Sequence, residues 1–238
     1  MRLFHGLRTL ITLTTLTLFT AIAAITHLRG QTSGPSTQMV SVDSRQMRVR
    51  SQGLDQRQPG KAVVVLEAGA GSGLEAWDPV FTAISDVAPV IAYDRRGLGQ
   101  SEVDDQPQTI RHVAAALHAL LFTLQVPPPY VMVGQSYGGI LIRAYAQAYP
   151  TDVAGLVYLD STDVEVTYAE VDALPAGARQ AVFAVPVIPP STPPGVKAEM
   201  DNIVQNIRTE FSQVRAARPP AHIPAAVVVG AGKTRPGV

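Results

Sequence analysis

Five short apolar runs restrict this chain more than any other feature: Ala62–Leu66 (AVVVL), Pro89–Tyr93 (PVIAY), Tyr130–Val133 (YVMV), Ala154–Leu159 (AGLVYL) and Ala225–Val229 (AAVVV). Each run is continuous, with no polar residue at alternate positions. A strand with that pattern is buried on both faces, as in a parallel sheet covered by helices on either side. The segments between the runs suit those helices. Trp77–Val87 can form one, and Gly138–Tyr149 another. Between them Ile110, Val113, Ala114, Leu117, Leu120, Leu121 and Leu124 recur at helical spacing, with Arg111 and His118 off the stripe and His112 opposite it. Alternating strands and helices predict an α/β fold with a mostly parallel sheet. Upstream, residues 38–53 alternate instead (Met39, Val40, Val42, then Met47, Val49) and predict two short strands joined by a polar turn around Asp43–Gln46. These open an antiparallel edge.

Composition narrows the partners. Lys plus Arg and Asp plus Glu both number 19, so the chain has no excess positive charge for a phosphate backbone, and nucleic acid is not an expected partner. It has no cysteine, which excludes disulfides, thiolate zinc sites and cysteine nucleophiles. No cofactor and no metal is called for. In residues 1–29, Arg2 and Arg8 precede an uncharged stretch from Thr9 to Thr26 with small residues at Ala21, Ala23 and Ala24. That is the pattern of a signal peptide, at a length that also suits an N-terminal membrane anchor. Both readings place the domain outside the cytoplasm, with membrane contact only through this segment. Residues 30–37 read as a flexible linker and 38–238 as the globular domain. Within the domain, regularity breaks over 161–223. A proline-rich stretch from Pro186 to Pro194 interrupts two possible helices there, which suits a lid, and Met200, Ile203, Ile207, Phe211 and Val214 form a helical apolar stripe able to pack back on the core. Oligomeric state has no sequence signal.

The chemistry concentrates at Gly134-Gln135-Ser136-Tyr137-Gly138, a G-x-S-x-G placed between an apolar run and a helix. A sharp strand-to-helix turn needs small neighbours so that the two backbones can approach, and Gly134 and Gly138 supply them. The serine is then held in strained geometry at the start of a helix whose N–H groups face any charge developing beside it. This predicts Ser136 as a nucleophile. The glycine-rich segment after the first buried run, EAGAGSG (67–73), lacks both the Lys-Ser/Thr ending of a phosphate loop and a G-x-G-x-x-G opening.

The order of elements, the elbow GQSYGG and the segment DRRGLGQS (94–101) resemble the α/β-hydrolase superfamily over about residues 38–232. The resemblance implies a serine hydrolase with a small-molecule ester or amide substrate, an acyl-enzyme on Ser136, and esterase or lipase activity ahead of a proline-iminopeptidase-like aminopeptidase. The superfamily's dehalogenases and epoxide hydrolases carry Asp at the elbow. The resemblance further implies an oxyanion hole from the backbone N–H groups of Tyr137 and Ala70, the latter in Ala68-Gly69-Ala70-Gly71 where the family has H-G-x-x-G. DRRGLGQS corresponds to a loop that shapes the site floor, and neither Asp94 nor Arg95 is expected to be a catalyst. The remaining triad members do not match. The family's usual acid position falls in Gly230–Lys233, which has no carboxylate, and the histidine belongs after a further strand. Asp160 or Asp163, after the strand that follows the elbow helix, stands where some relatives place the acid. Of the five histidines, His5 and His27 lie in or beside the N-terminal segment, His112 and His118 lie on a helix, and His222 precedes its strand. A helix-face His112 is expected to be solvated. A chain without a histidine on Ser136 reads as a poor catalyst, as a non-catalytic relative, or as a fragment of an ordinary enzyme in which the last strand, the histidine and the closing helix of the hydrolase fold are missing.

Overall fold

The computed structural model describes residues 34–161, 173–175, 188–216 and 221–228. The N-terminal segment 1–29, Asp163 and most of 161–193 lie outside the described residues. Among the described residues, no helix is long and apolar enough to cross a membrane.

The strands are β1 (Ser36–Val42), β2 (Arg45–Gln52), β3 (Val63–Glu67), β4 (Val90–Tyr93), β5 (Tyr130–Gln135), β6 (Val153–Leu159) and β7 (Ala225–Val228). The helices are α1 (Asp78–Ser85), preceded by a single 3₁₀ turn at Leu74–Trp77, α2 (Ile110–Thr123), α3 (Tyr137–Ala148) and α4 (Pro194–Ala216). The strands form one sheet in the order β1-β2-β4-β3-β5-β6-β7. β1 and β2 are antiparallel to each other and β2 to β4, while β4, β3, β5, β6 and β7 run parallel. The antiparallel edge and the parallel body both follow the sequence pattern. β1 begins two residues inside the stretch read as linker, and the turn to β2 is Asp43-Ser44, both at positive φ (48° and 65°).

The continuous apolar runs earn their burial by facing two cores in alternation. Val63 and Val65 of β3, Ile91 and Tyr93 of β4, and Tyr130 and Met132 of β5 join a cluster with Leu117, Leu120 and Leu121 of α2 and Ile142 and Tyr145 of α3. Leu66, Val90, Ala92 and Val133 point the other way, onto Leu74, Trp77 and Phe81. Each fully buried side chain of this size contributes about 1.5–3 kcal/mol of transfer free energy, so removing either helical layer would forfeit many such terms.

One expectation is corrected. The fifth apolar run forms a strand, but β7 is exposed along its length, with Val227 71% and Val228 50% accessible. Among the described residues it stands at the edge of the sheet and pairs with β6 only, and no described helix covers it.

Candidate active site

The parallel strands end in register. Glu67 of β3 lies opposite Gly134 of β5, Gln135 opposite Leu159 of β6, and Leu159 opposite Val228 of β7. The loops that follow therefore share one edge, outside the carboxyl ends of the strands and where β3 meets β5 at the reversal of strand order, the usual place for a site in an open α/β sheet.

Ser136 occupies the turn between β5 and α3, with φ 53° and ψ −120°, a region that non-glycine residues avoid. The geometry is held by backbone bonds: the Ser136 N–H donates to Leu159 O at 3.1 Å, and Ser136 O accepts from the Gly139 N–H at 3.0 Å and from Ser161 Oγ at 3.3 Å. Gly134 and Gly138 are required by contact. A Cβ on Gly134 would lie 2.6 Å from the Gly138 carbonyl carbon, and one on Gly138 would lie 2.8 Å from Ala68 O. Strand, loop and helix backbones thus meet at van der Waals distance around the serine. Tyr137 follows as the first residue of α3, its ring buried against Ile110, Val113 and Ile140.

The loop after β3 lies against this turn. Gly69 N–H donates to Gln135 Oε1 at 3.2 Å, and a Cβ on Gly69 would sit 3.4 Å from the Ser136 Cβ. Ala70 is half-buried and packs against the Tyr137 cluster. The two residues expected to supply oxyanion donors, Ala70 and Tyr137, are therefore brought together beside Ser136.

Beneath the loop lies a buried ionic cluster that the sequence reading did not assemble. Arg95 pairs with Glu67 (Nη1 to Oε1, 2.6 Å) and with Glu199 of α4 (Nε to Oε1, 2.7 Å), and all three side chains are at most 4% exposed. Tyr93 donates its hydroxyl to Glu67. Burial pushes the Glu67 carboxyl up, against the pull of the Arg95 charge, and burial beside Glu67 pushes the Tyr93 hydroxyl up as well. Burial alone would lower the Arg95 guanidinium, but the two glutamates outweigh it and raise it. The signal was a charged residue at the end of each of two wholly apolar runs, Glu67 directly after AVVVL and Arg95 one residue beyond the Asp94 that follows PVIAY. Their pairing, and the arrival of Glu199 from 104 residues away, required the fold.

Asp94 shapes the adjoining loop, as the resemblance implied for this segment. Its carboxylate accepts from the Leu74 N–H at 2.7 Å and the Gln100 N–H at 2.9 Å. Gly99, at φ 52°, leaves room for that carboxylate, since any Cβ there would strike it.

The remaining titratable candidates are placed as follows. Asp160 directly follows β6 at φ 42°, exposed, on the same edge as Ser136, with its N–H donating to Val228 O at 2.8 Å. His112 is not the solvated histidine expected: its ring is 27% exposed and its Nε2 lies 2.7 Å from Asp104 Oδ2, an oxygen that also accepts from Arg96 Nη1 at 2.7 Å. The bend of the 97–108 loop back onto the first turn of α2 creates this pair, which a helical wheel cannot show. Burial would raise the Asp104 carboxyl, but hydrogen bonds from Arg96, His112 and the Gln106 N–H outweigh it and hold it well below the usual carboxylate range. His118 stacks on Tyr149 with ring centroids 3.9 Å apart, its Nδ1 3.2 Å from the Tyr145 hydroxyl. His222 is exposed just before β7, at the opposite edge of the sheet from Ser136. His5 and His27 lie outside the described residues. Among the described residues no histidine is bonded to Ser136, and no group of three or more His, Asp or Glu is placed to hold a metal ion.

Comparison with known proteins agrees with this geometry. The profile of the alpha/beta hydrolase fold family matches residues 61–225. The uncharacterized protein YqjL of Bacillus subtilis is 35% identical over 97 residues, covering 41% of this chain and 38% of that protein. The chain spans between 21% and 42% of the length of the curated relatives it matches. Among solved structures, the epoxide hydrolase CorEH superposes with a TM-score of 0.60 at 16% identity, covering 83% of this chain and 82% of that one. A thermophilic esterase from Thermogutta terrifontis gives 0.57 at 19% identity, covering 82% and 80%. At these identities the structural likeness carries the fold alone.

Proposed function

Because this chain belongs to the alpha/beta hydrolase fold family, we propose that it is a serine hydrolase acting on carboxylic esters through an acyl-enzyme on Ser136. The carrying observation is Ser136 itself, held at φ 53° on the β5–α3 turn with the 68–71 loop packed against its Cβ. A serine rather than a carboxylate at this turn favours acyl transfer over epoxide opening. Ser136 Oγ attacks the ester carbonyl carbon, the carbonyl electron pair moves onto its oxygen, and the N–H groups of Ala70 and Tyr137 stabilise that oxyanion. Collapse expels the alkoxide, which leaves as the alcohol with the serine proton, and water then releases the carboxylic acid.

A serine hydroxyl is a weak nucleophile without an adjacent base. Among the described residues His112 is engaged by Asp104, His118 by Tyr145, and His222 lies at the far edge, so none of these three is placed to take the serine proton. The oxyanion hole and substrate binding alone sustain about 10³ to 10⁴-fold catalysis over water. Asp160 is on the correct edge to serve as the triad acid toward any base that reaches Ser136. Segment 161–223 is read as a lid that selects the acyl group, supported by the seating of α4 on the loop after β3. Export through residues 1–29 remains part of the reading. The test is covalent labelling with a fluorophosphonate, together with hydrolysis of an activated p-nitrophenyl ester. Label should map to Ser136 and vanish in Ser136→Ala, along with any turnover. Label elsewhere, or hydrolysis that survives Ser136→Ala, refutes the assignment.

A further inference from the structure

We infer that Arg95 and Glu199 are positioning residues for the oxyanion loop, so that the loop reaches its working shape only when α4 is docked. This rests on the reading of Ala70 N–H as an oxyanion donor. A guanidinium has five N–H donors in a fixed plane, and in Arg95 all five have an acceptor. Nη1 donates to Glu67 Oε1 at 2.6 Å and to Ala68 O at 2.7 Å. Nη2 donates to Gly69 O at 2.7 Å and to Glu199 Oε2 at 3.1 Å, and Nε donates to Glu199 Oε1 at 2.7 Å. Glu199 Oε2 also accepts from the Gly71 N–H at 2.6 Å.

Those bonds orient three consecutive peptide planes. In a trans peptide the C=O and the N–H point to opposite sides. Ala68 O is turned to Arg95, and accordingly the Gly69 N–H of the same plane reaches the other way, to Gln135 at the nucleophile turn. Gly69 O is likewise turned to Arg95, so the Ala70 N–H of that plane is directed away from Arg95. The next plane is held by Gly71 N–H on Glu199. Ala70 is thus fixed from both sides by side chains that are themselves buried beneath the loop.

Glu199 belongs to α4, which sits directly on the loop. A Cβ on Gly71 would lie 3.1 Å from Val196 Cγ1 and 3.2 Å from Met200 Cε, and Gly195 approaches Gly97 so closely that a Cβ would overlap its carbonyl. Gly71 itself is at φ 69°, a conformation that glycine adopts without steric cost and that a side chain would strain. Lifting α4 removes two acceptors from Arg95 and the only acceptor seen for Gly71 N–H among the described residues.

The experiment uses the full chain and the variants Glu199→Ala, Glu199→Gln and Arg95→Lys, with two readouts. Hydrogen exchange of the peptide covering Ala68–Leu74 reports the loop, and the second-order rate of fluorophosphonate labelling at Ser136 reports the hole. Expected are exchange at least tenfold faster in that peptide with β5 and α3 still protected, and labelling slowed by about 100-fold or more, the scale of one lost oxyanion donor. Glu199→Gln, which keeps the shape and one acceptor, should fall between wild type and Glu199→Ala, and it serves if the alanine variant does not fold. Unchanged loop exchange overturns the inference, as does a loosened loop with labelling within twofold of wild type. If wild type is not labelled at all, the serine hydrolase reading fails separately, and loop exchange alone decides whether the clamp exists.

Discussion

Replacing Gly138 with alanine sets two effects of opposite sign against each other. At an ordinary helical position, Gly→Ala stabilises by about 0.8–1 kcal/mol through backbone entropy. At Gly138 the new methyl would lie 2.8 Å from Ala68 O and 2.9 Å from the Glu67 carbonyl carbon. Those atoms end β3, an interior strand bonded to both β4 and β5, so β3 cannot give way without breaking two ladders. Overpacking of this kind costs about 1–3 kcal/mol, and the upper part of that range applies when the obstacle is backbone. The entropy gain offsets part of it, leaving a net loss of roughly 1–2 kcal/mol, or about 2–8 °C in Tm for a chain of this size. The displacement falls on α3 and the Ser136 turn, so fluorophosphonate labelling should drop by at least tenfold. The internal control is Gly155→Ala in β6, where the nearest atoms would lie 3.6–3.9 Å away, an ordinary contact. That substitution should be neutral or stabilise by up to about 1 kcal/mol, leaving labelling unchanged. Urea and thermal unfolding of both variants check the pair. A Gly138→Ala protein as stable as wild type and labelled at the same rate refutes the close approach of α3 to the β3 end.

Ser136 pays in strain for its φ of 53°; both Ser136→Gly and Ser136→Ala should abolish labelling, but the glycine variant should be more stable than the alanine variant by about 1–2 kcal/mol in urea titrations, and equality would show that the turn is unstrained. Asp94→Ala strips the acceptor from the buried Leu74 N–H and from the N–H of the exposed Gln100, at roughly 1–3 kcal/mol for the buried group; an unfolding free energy reduced by less than 1 kcal/mol would count against Asp94 as the organiser of its loop. Asp104 has a carboxyl held below its unfolded value, so its contribution is present above the ordinary carboxylate range and is lost as pH falls through the folded value. Stability measured from pH 6 down to 2 should decline less steeply in Asp104→Asn, and identical acid limbs would exclude the Arg96–Asp104–His112 pairing as a source of the slope.

Much of this was legible in one dimension because the information is local. A run such as AVVVL can satisfy its apolar side chains only between two layers, so β3 to β6, their parallel pairing and the covering helices follow from composition and spacing. The Ser136 turn follows from glycines two residues on either side of it, since the steric demand there is met by neighbours in the chain. β7 escaped the same logic: AAVVV reads like the other runs, but burial depends on what lies beyond the edge, and the strand is exposed. His112 could not be read either, because its partner arrives through a loop eight residues upstream that folds back on the helix. The Arg95 cluster is the clearest case of a tertiary decision. Glu67 and Arg95 each follow an apolar run, which places them at one edge, but whether like and unlike charges there meet, and that Glu199 completes the set from α4, depends on long-range packing. Three buried charges tolerate burial only when paired and fully hydrogen-bonded, and that condition is met by the assembled sheet, loop and helix together.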